Sequence, residues 1–317
     1  MKSISRILIL AVLFPALLSS CSRKSKLNDT ADPNAKQHNE DVSNIKSESD
    51  NLNSDINQIL NGVTGFGKNG AIEAVSVCGA TIDSSQQYSA TPTLYINFDG
   101  STVCPNPSRI RSGQIKIELI SGAKWTDAGA VLRVTHTAYK IKFPTLNNHF
   151  VTFNGTKYLT NVNGINWISI YFGTSTAKIR ERSYDMTVTF ENGQTSSWKL
   201  ARLSEWGIQN QNLNQIYAIV NGDTIIGGKT IDSWGVTRFG TSFRTEMLQA
   251  WKSGTACGWW HPTQGKYTSV TDDFSITAIF GVDQSGNQVS AGCPYGFKLN
   301  WILNANSSSG EAVIGYF

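Results

Sequence analysis

The sequence predicts an all-β fold: an antiparallel meander of hairpins in a two-layer or rolled sheet, preceded by a signal peptide and a polar tether. Three observations carry that prediction. From about residue 75 onward, apolar residues recur at every second position in one segment after another. Asn-Gly pairs beginning at Asn154, Asn163, Asn192 and Asn221 punctuate those segments, and Asn-Gly readily takes the positive φ of type I′ hairpin turns. Charged residues make up only 16% of the 317 residues and aromatics 10%, a balance that suits pleated, half-buried surfaces.

The N-terminus reads as an address. Lys2 and Arg6 form a positive n-region ahead of an apolar run from Ile7 to Leu18, too short to span a bilayer as a helix. The run closes on Leu18-Ser19-Ser20-Cys21, which resembles a bacterial lipobox. Residues 1–20 are therefore expected to be a lipoprotein signal peptide, with Cys21 the lipid (palmitate) attachment site and the outer membrane the destination. Arg23, Lys24 and Lys26 follow, where surface-exported lipoproteins of the Bacteroidetes usually carry acidic residues. A periplasm-facing orientation is expected over display at the cell surface.

Residues 21–62 are polar and have tether composition. Within them Ile45, Leu52, Ile56, Ile59 and Val63 recur at helical spacing, which predicts a short amphipathic helix leading into the domain. The all-β domain is expected over 63–317. Its clearest strands carry Leu94, Ile96 and Phe98; Ile115, Ile117 and Leu119; Tyr184, Met186, Val188 and Phe190; and Phe297, Leu299, Trp301 and Leu303. The sharpest hairpin joins Met186–Phe190 to Ser196–Leu203 through Glu191-Asn192-Gly193-Gln194. Along residues 131–143 the apolar set changes parity near Thr137, which predicts a bulge or a strand bending between layers. Residues 165–172 are apolar on both parities and are expected to be buried on both faces.

Five cysteines are present. With Cys21 lipidated, Cys78, Cys104, Cys257 and Cys293 remain, an even number suited to an oxidising compartment. Of three possible pairings, Cys78–Cys104 and Cys257–Cys293 are favoured because each closes a local loop, contributing roughly 3–4 kcal/mol in the chain-entropy model. Zinc is the competing use, but no C-x-x-C or spaced Cys/His set occurs, and no metal or cofactor is expected. Loss of Lys2 and Arg6 with the signal segment lowers the formal charge from +4 to +2, leaving no basic surface that calls for nucleic acid.

From Cys78 to Trp301 the chain resembles a family of uncharacterised Bacteroidetes all-β lipoproteins. The similarity rests on Cys78 and Cys104 bracketing "TLYINFDG", then "SRIRSGQIKIEL", "GAVLRVTHTAYKI", "KIRERSYDMTVTFENG", "ACGWWHPTQGKY" and "CPYGFKLNW" in that order. It implies an envelope location and an all-β fold, and lends no activity.

Signals for catalysis are poor. No H-E-x-x-H, G-x-S-x-G or phosphate-cradling glycine loop occurs among or beside His38, His136, His149 and His261. Glu181 and Asp185 share a strand face, but four residues along a strand is about 13 Å, against the roughly 5–9.5 Å of a glycosidase pair. Asp272 and Asp273 would point to opposite faces. Trp259 and Trp260, beside Cys257, are the candidate ligand-stacking residues, against core packing as the plainer use. The aromatic C-terminus, "AVIGYF", raises an outer-membrane barrel as a further possibility. The expectation is a non-catalytic binding or structural lipoprotein held to the membrane by its N-terminal lipid. The alternative is a glycan-binding or glycan-active protein of a polysaccharide-utilisation system.

Overall fold

The computed structural model describes residues 33–60, 63, 66, 76–105, 108–144, 149–165, 167–212, 215–258, 261–304 and 308–316. The signal segment, Cys21, Trp259 and Trp260 lie outside the described residues. A long helix α1 (Pro33–Leu60) precedes strands β1 (Ala80–Asp83), β2 (Thr93–Cys104), β3 (Arg109–Ser121), β4 (Val131–Phe143) and β5 (His149–Asn161). A five-residue helix α2 (Trp167–Tyr171) leads to β6 (Ala177–Phe190), β7 (Thr195–Ile208), β8 (Ile216–Gly222), β9 (Thr224–Ile226) and β10 (Lys229–Val236). The chain ends through β11 (Ser242–Gly254), β12 (Gln264–Thr271), β13 (Phe274–Val282), β14 (Gly296–Leu303) and β15 (Ser309–Gly315).

All fifteen strands belong to one antiparallel sheet, and neighbours in sequence are mostly neighbours in space, the meander the hairpin signals predict. One slot is shared. β10 pairs Ser197 to Leu200 of β7, whereas β8 pairs Arg202 to Ile208 of the same strand. Both also pair β11, β10 through Ser242 to Glu246 and β8 through Trp251 to Gly254. The sheet thus changes its middle strand halfway along, and its far end is built from β8.

The sheet is rolled around α1. Side chains of this helix bond to β3 through Arg109 and Arg111, to β4 through Tyr139, and to β5 through Lys157. They also bond to β6 through Glu181, to β7 through Arg202, to β10 through Asp232 and to β12 through Ser269. One helix can reach seven strands only if the sheet curls about it. The polar tether expected over 21–62 is therefore corrected over 33–60. That stretch is no brief lead-in but a 28-residue core element, about 42 Å long at 1.5 Å per residue. Val42, Ile45, Leu52, Ile56 and Ile59 join the main hydrophobic cluster with Leu94, Ile96, Ile115, Ile117, Leu132, Val134 and Phe190 from the sheet.

The curl has a visible hinge line. The β3–β4 pairing slips between Ser112 and Gln114, and the β4–β5 pairing slips between His136 and Tyr139. The next two slips fall between Asn154 and Lys157 and between Ser183 and Met186. Four bulges in register form a crease, the usual device for bending a sheet. The parity change near Thr137 marks its place on β4, where Ala138 takes φ 47°. Gly113 (φ 90°) and Gly155 (φ 125°) sit on the same line, and backbone oxygens lie where their Cβ atoms would be.

Several local expectations change. Asn154-Gly155 serves the crease inside β5 rather than a hairpin, while Asn192-Gly193 does turn between β6 and β7. Tyr184 is exposed because the β6 bulge rotates it off the face that buries Met186, Val188 and Phe190. Residues 165–172 form α2 and its flanks, with Ile170 buried but Ile168 and Phe172 exposed. A dense apolar run without alternation carries no strand period, and here a helical turn buries one side of it. Most outward positions of β3 and β4 hold polar residues, Ser112, Gln114, Lys116, Arg133, Thr135, Lys140 and Lys142, all partly exposed, with Ile110, Ile120 and Val131 among them. The outward face of a bilayer-spanning barrel is apolar instead.

Candidate functional site

Two regions gather polar side chains: the seam between α1 and the sheet, and a cleft at the far end of the roll. The seam is a ladder of buried charge. Arg238 grips Asp41 through two bonds of 2.7 and 2.6 Å. Lys46 meets Asp232 at 2.6 Å, and Arg111 reaches Asp55 at 2.5 Å. Lys157 Nζ donates to Ser49, Asn53 and Glu181 at 3.1, 2.8 and 2.9 Å, using all three of its protons. Tyr139 donates to Glu48 at 2.6 Å.

Burial governs titration here. It pushes the Asp41 carboxyl up to about 6, with Arg238 opposing, and lowers the Lys46 ammonium to about 8, with Asp232 opposing. Burial also works against the Glu181 charge, but Lys157 and Arg202 outweigh it and hold this carboxyl below its ordinary value. His136, packed with Tyr139 and Phe153, is lowered by burial to about 3 and stays neutral. A cavity of about 40 Å³ remains between α1 and the sheet, bordered by Ser49, His136, Lys157, Trp198 and Arg202. A water needs roughly 10–15 Å³ on this measure, so the space takes a few waters and no larger ligand. The seam holds the helix in register.

The cleft is different in kind. Its volume is about 540 Å³, and it opens where β8 replaces β10 beside β11. One wall comes from the ends of β7, β8 and β11, with Gln209, Gln215, Tyr217, Gln249 and Lys252. The other comes from the loops around the second cysteine pair, with Cys257, Gln264 and Gln288. Backbone bonds fix both walls: Thr263 donates to Lys252 at 2.7 Å, Thr255 to Ile216 at 2.9 Å and Val289 to Gly281 at 2.9 Å. Cys257 and Cys293 are at disulfide-bonding distance with Cα atoms 5.3 Å apart, and so are Cys78 and Cys104 at 5.8 Å. This is the local pairing favoured from the sequence. Behind the cleft His261 stacks on Tyr316 at 5.1 Å and meets the Cys257 carbonyl at 2.6 Å through Nδ1.

None of the carboxylates weighed for catalysis reaches this cleft. Glu181 is committed to Lys157, Asp185 accepts from the Thr156 backbone at the crease, and Asp272 and Asp273 lie exposed in the β12–β13 turn. The glutamines and Tyr217 were not singled out by the sequence, since they come from five separate segments. Only the tryptophan pair next to Cys257 pointed to this end of the fold, and its side chains lie outside the described residues. No family model, curated protein or solved structure matches the chain.

Proposed function

We propose that the chain is a cell-envelope lipoprotein of the Bacteroidetes type, attached to the outer membrane through lipid on Cys21. In this reading its rolled domain binds a glycan without cleaving it. The observation that carries the reading is the cleft lined by five glutamines and, among the described lining residues, no carboxylate. Primary amides donate and accept at once, which suits sugar hydroxyls. Glycoside hydrolysis needs two carboxyl groups flanking the bond. Trp259 and Trp260 belong to the reading as stacking residues.

The placement of the cleft supports it. The start of α1 lies at the end of the sheet marked by Arg238, Phe243 and Phe274, and the cleft lies at the opposite end, with Gly254 and Tyr217. Cys21 precedes Pro33 by twelve residues, a reach of at most about 40 Å. A lipid on Cys21 would attach the chain by the end of the roll away from the cleft.

The test is a glycan array probed with the mature chain. Binding is expected to be lost in Gln249→Ala and Gln264→Ala and in at least one of Trp259→Ala and Trp260→Ala, with melting temperatures retained. An array on which no sugar binds the wild-type chain would rule the reading out in favour of a structural role.

A further inference from the structure

We infer that the cleft selects an acidic sugar, a uronic acid residue within an oligosaccharide, and that Lys252 is the residue that selects it. This rests on the glycan reading above and adds the charge of the ligand. Lys252 is the one charged side chain among the described residues lining the cleft. It is half-buried, and its Nζ stands 4.9 Å from the centre of the Tyr217 ring, a second lining residue. Its root is fixed, because the Lys252 carbonyl accepts from both the Thr263 backbone at 2.7 Å and the Thr263 hydroxyl at 3.3 Å.

Among the described residues the charge on Lys252 has no ion-pair partner. Elsewhere on the outer surface Lys116, Lys178 and Lys298 each meet a carboxylate, on Glu118, Glu205 and Glu311. Among the described residues no carboxylate pairs with Lys252. Asp283, on the loop that forms the second wall, spends one oxygen on the backbone amides of Ser285 and Asn287, at 2.8 and 3.0 Å. A cation held on an aromatic face in a partly desolvated cleft attracts an anion more strongly than one in open water. One ammonium calls for one negative charge, and the glutamines that line the same cleft offer bonds for hydroxyls rather than for further charge. A sugar ring bearing a single carboxylate matches that arrangement.

The experiment is titration calorimetry of the mature chain with galacturonate, glucuronate and mannuronate oligomers, each beside its neutral methyl ester. The expected result is that at least one acid binds about tenfold or more tightly than its own ester, with the advantage shrinking as salt shortens the screening length. Lys252→Met should bring that acid down to the level of its ester and leave the ester unchanged, while Lys252→Arg keeps the preference. Equal binding of acids and esters would overturn the inference, as would equal weakening of both by Lys252→Met, which would make the lysine a wall support. Binding confined to neutral sugars on the array sinks this inference alone. No binding to any sugar sinks the glycan reading as well.

Discussion

A Cβ placed on Gly113 would stand 2.2 Å from the carbonyl oxygen of Ala138. At this point β3 and β4 meet backbone to backbone, and the crease that rolls the sheet around α1 depends on it. Gly113→Ala should therefore cost more than a glycine turn usually does. Strain at positive φ is about 1–2 kcal/mol, and relief of the overlap adds roughly 1–3 kcal/mol. Gly193→Ala, also at positive φ but with open space around its Cβ, is the control and should lose only the strain of about 1–2 kcal/mol. Denaturant unfolding of the two variants compares them directly; equal losses would mean the crease tolerates a side chain.

The Lys157–Glu181 pair, at 2.9 Å with both side chains under 4% exposed, should show strong coupling. Removing one partner leaves a buried charge unpaired, so Glu181→Leu is expected to lose about 3–5 kcal/mol. Lys157→Met with Glu181→Leu should lose markedly less than the two single changes added together. A double-mutant cycle by urea denaturation measures this, and strict additivity would show that the two charges act independently.

The two cysteine pairs should differ in how readily they are reduced. Cys104 is 2% exposed, whereas Cys293 lies exposed at the rim of the cleft. Under native conditions a mild reductant followed by alkylation should label Cys257 and Cys293 first, as read by peptide mass spectrometry. Labelling of Cys78 and Cys104 at the same rate would contradict that order.

His38 sets an acid limit on the seating of α1. Burial, with Lys46 adding to it, lowers this imidazole to about 4, while its Nε2 lies 2.8 Å from the Ser269 hydroxyl. An unfolded chain takes up the proton near 6.5, and the folded chain refuses it until about 4, so the contribution of His38 is intact above 6.5 and declines as pH falls. Asp41 works the other way, since a carboxyl raised to about 6 gains stability on acidification. Comparing wild type with His38→Gln isolates the histidine. The stability gap between them should move in the variant's favour by on the order of 2 kcal/mol from pH 7 to pH 5. A gap independent of pH would refute the assignment.

Anchoring has its own test. Cys21→Ala should abolish palmitate labelling and leave an unprocessed precursor. Continued labelling, or cleavage after Ser20 in the variant, would remove the lipid from the proposed function.

What the sequence disclosed was local and what it hid was long-range. Alternation at Ile115 to Leu119 or Met186 to Phe190 marks a strand wherever its partner lies, and the slip near Thr137 located the crease. The role of residues 33–60 was not legible in the same way. Asp41, Lys46, Glu48 and Asp55 look like a solvated face until Arg238, Asp232, Tyr139 and Arg111 are brought opposite them from 56 to 197 residues away. Their polarity is ordinary; only the third dimension makes it interior. The cleft was hidden for a related reason, because its five glutamines are adjacent only after β8 has taken over the place of β10.

The threading of α1 through the roll also orders events in time. The helix is synthesised before every strand of the sheet, yet His38 meets Ser269 across 231 residues of chain, and Phe274 lies further on still. Contacts of such separation make folding slow, and until β12 and β13 exist the buried side of α1 has nowhere to go. If the chain is exported, that interval falls during translocation, and the charged side chains of α1 that later pair inside the roll keep the waiting helix hydrated until the sheet closes over it.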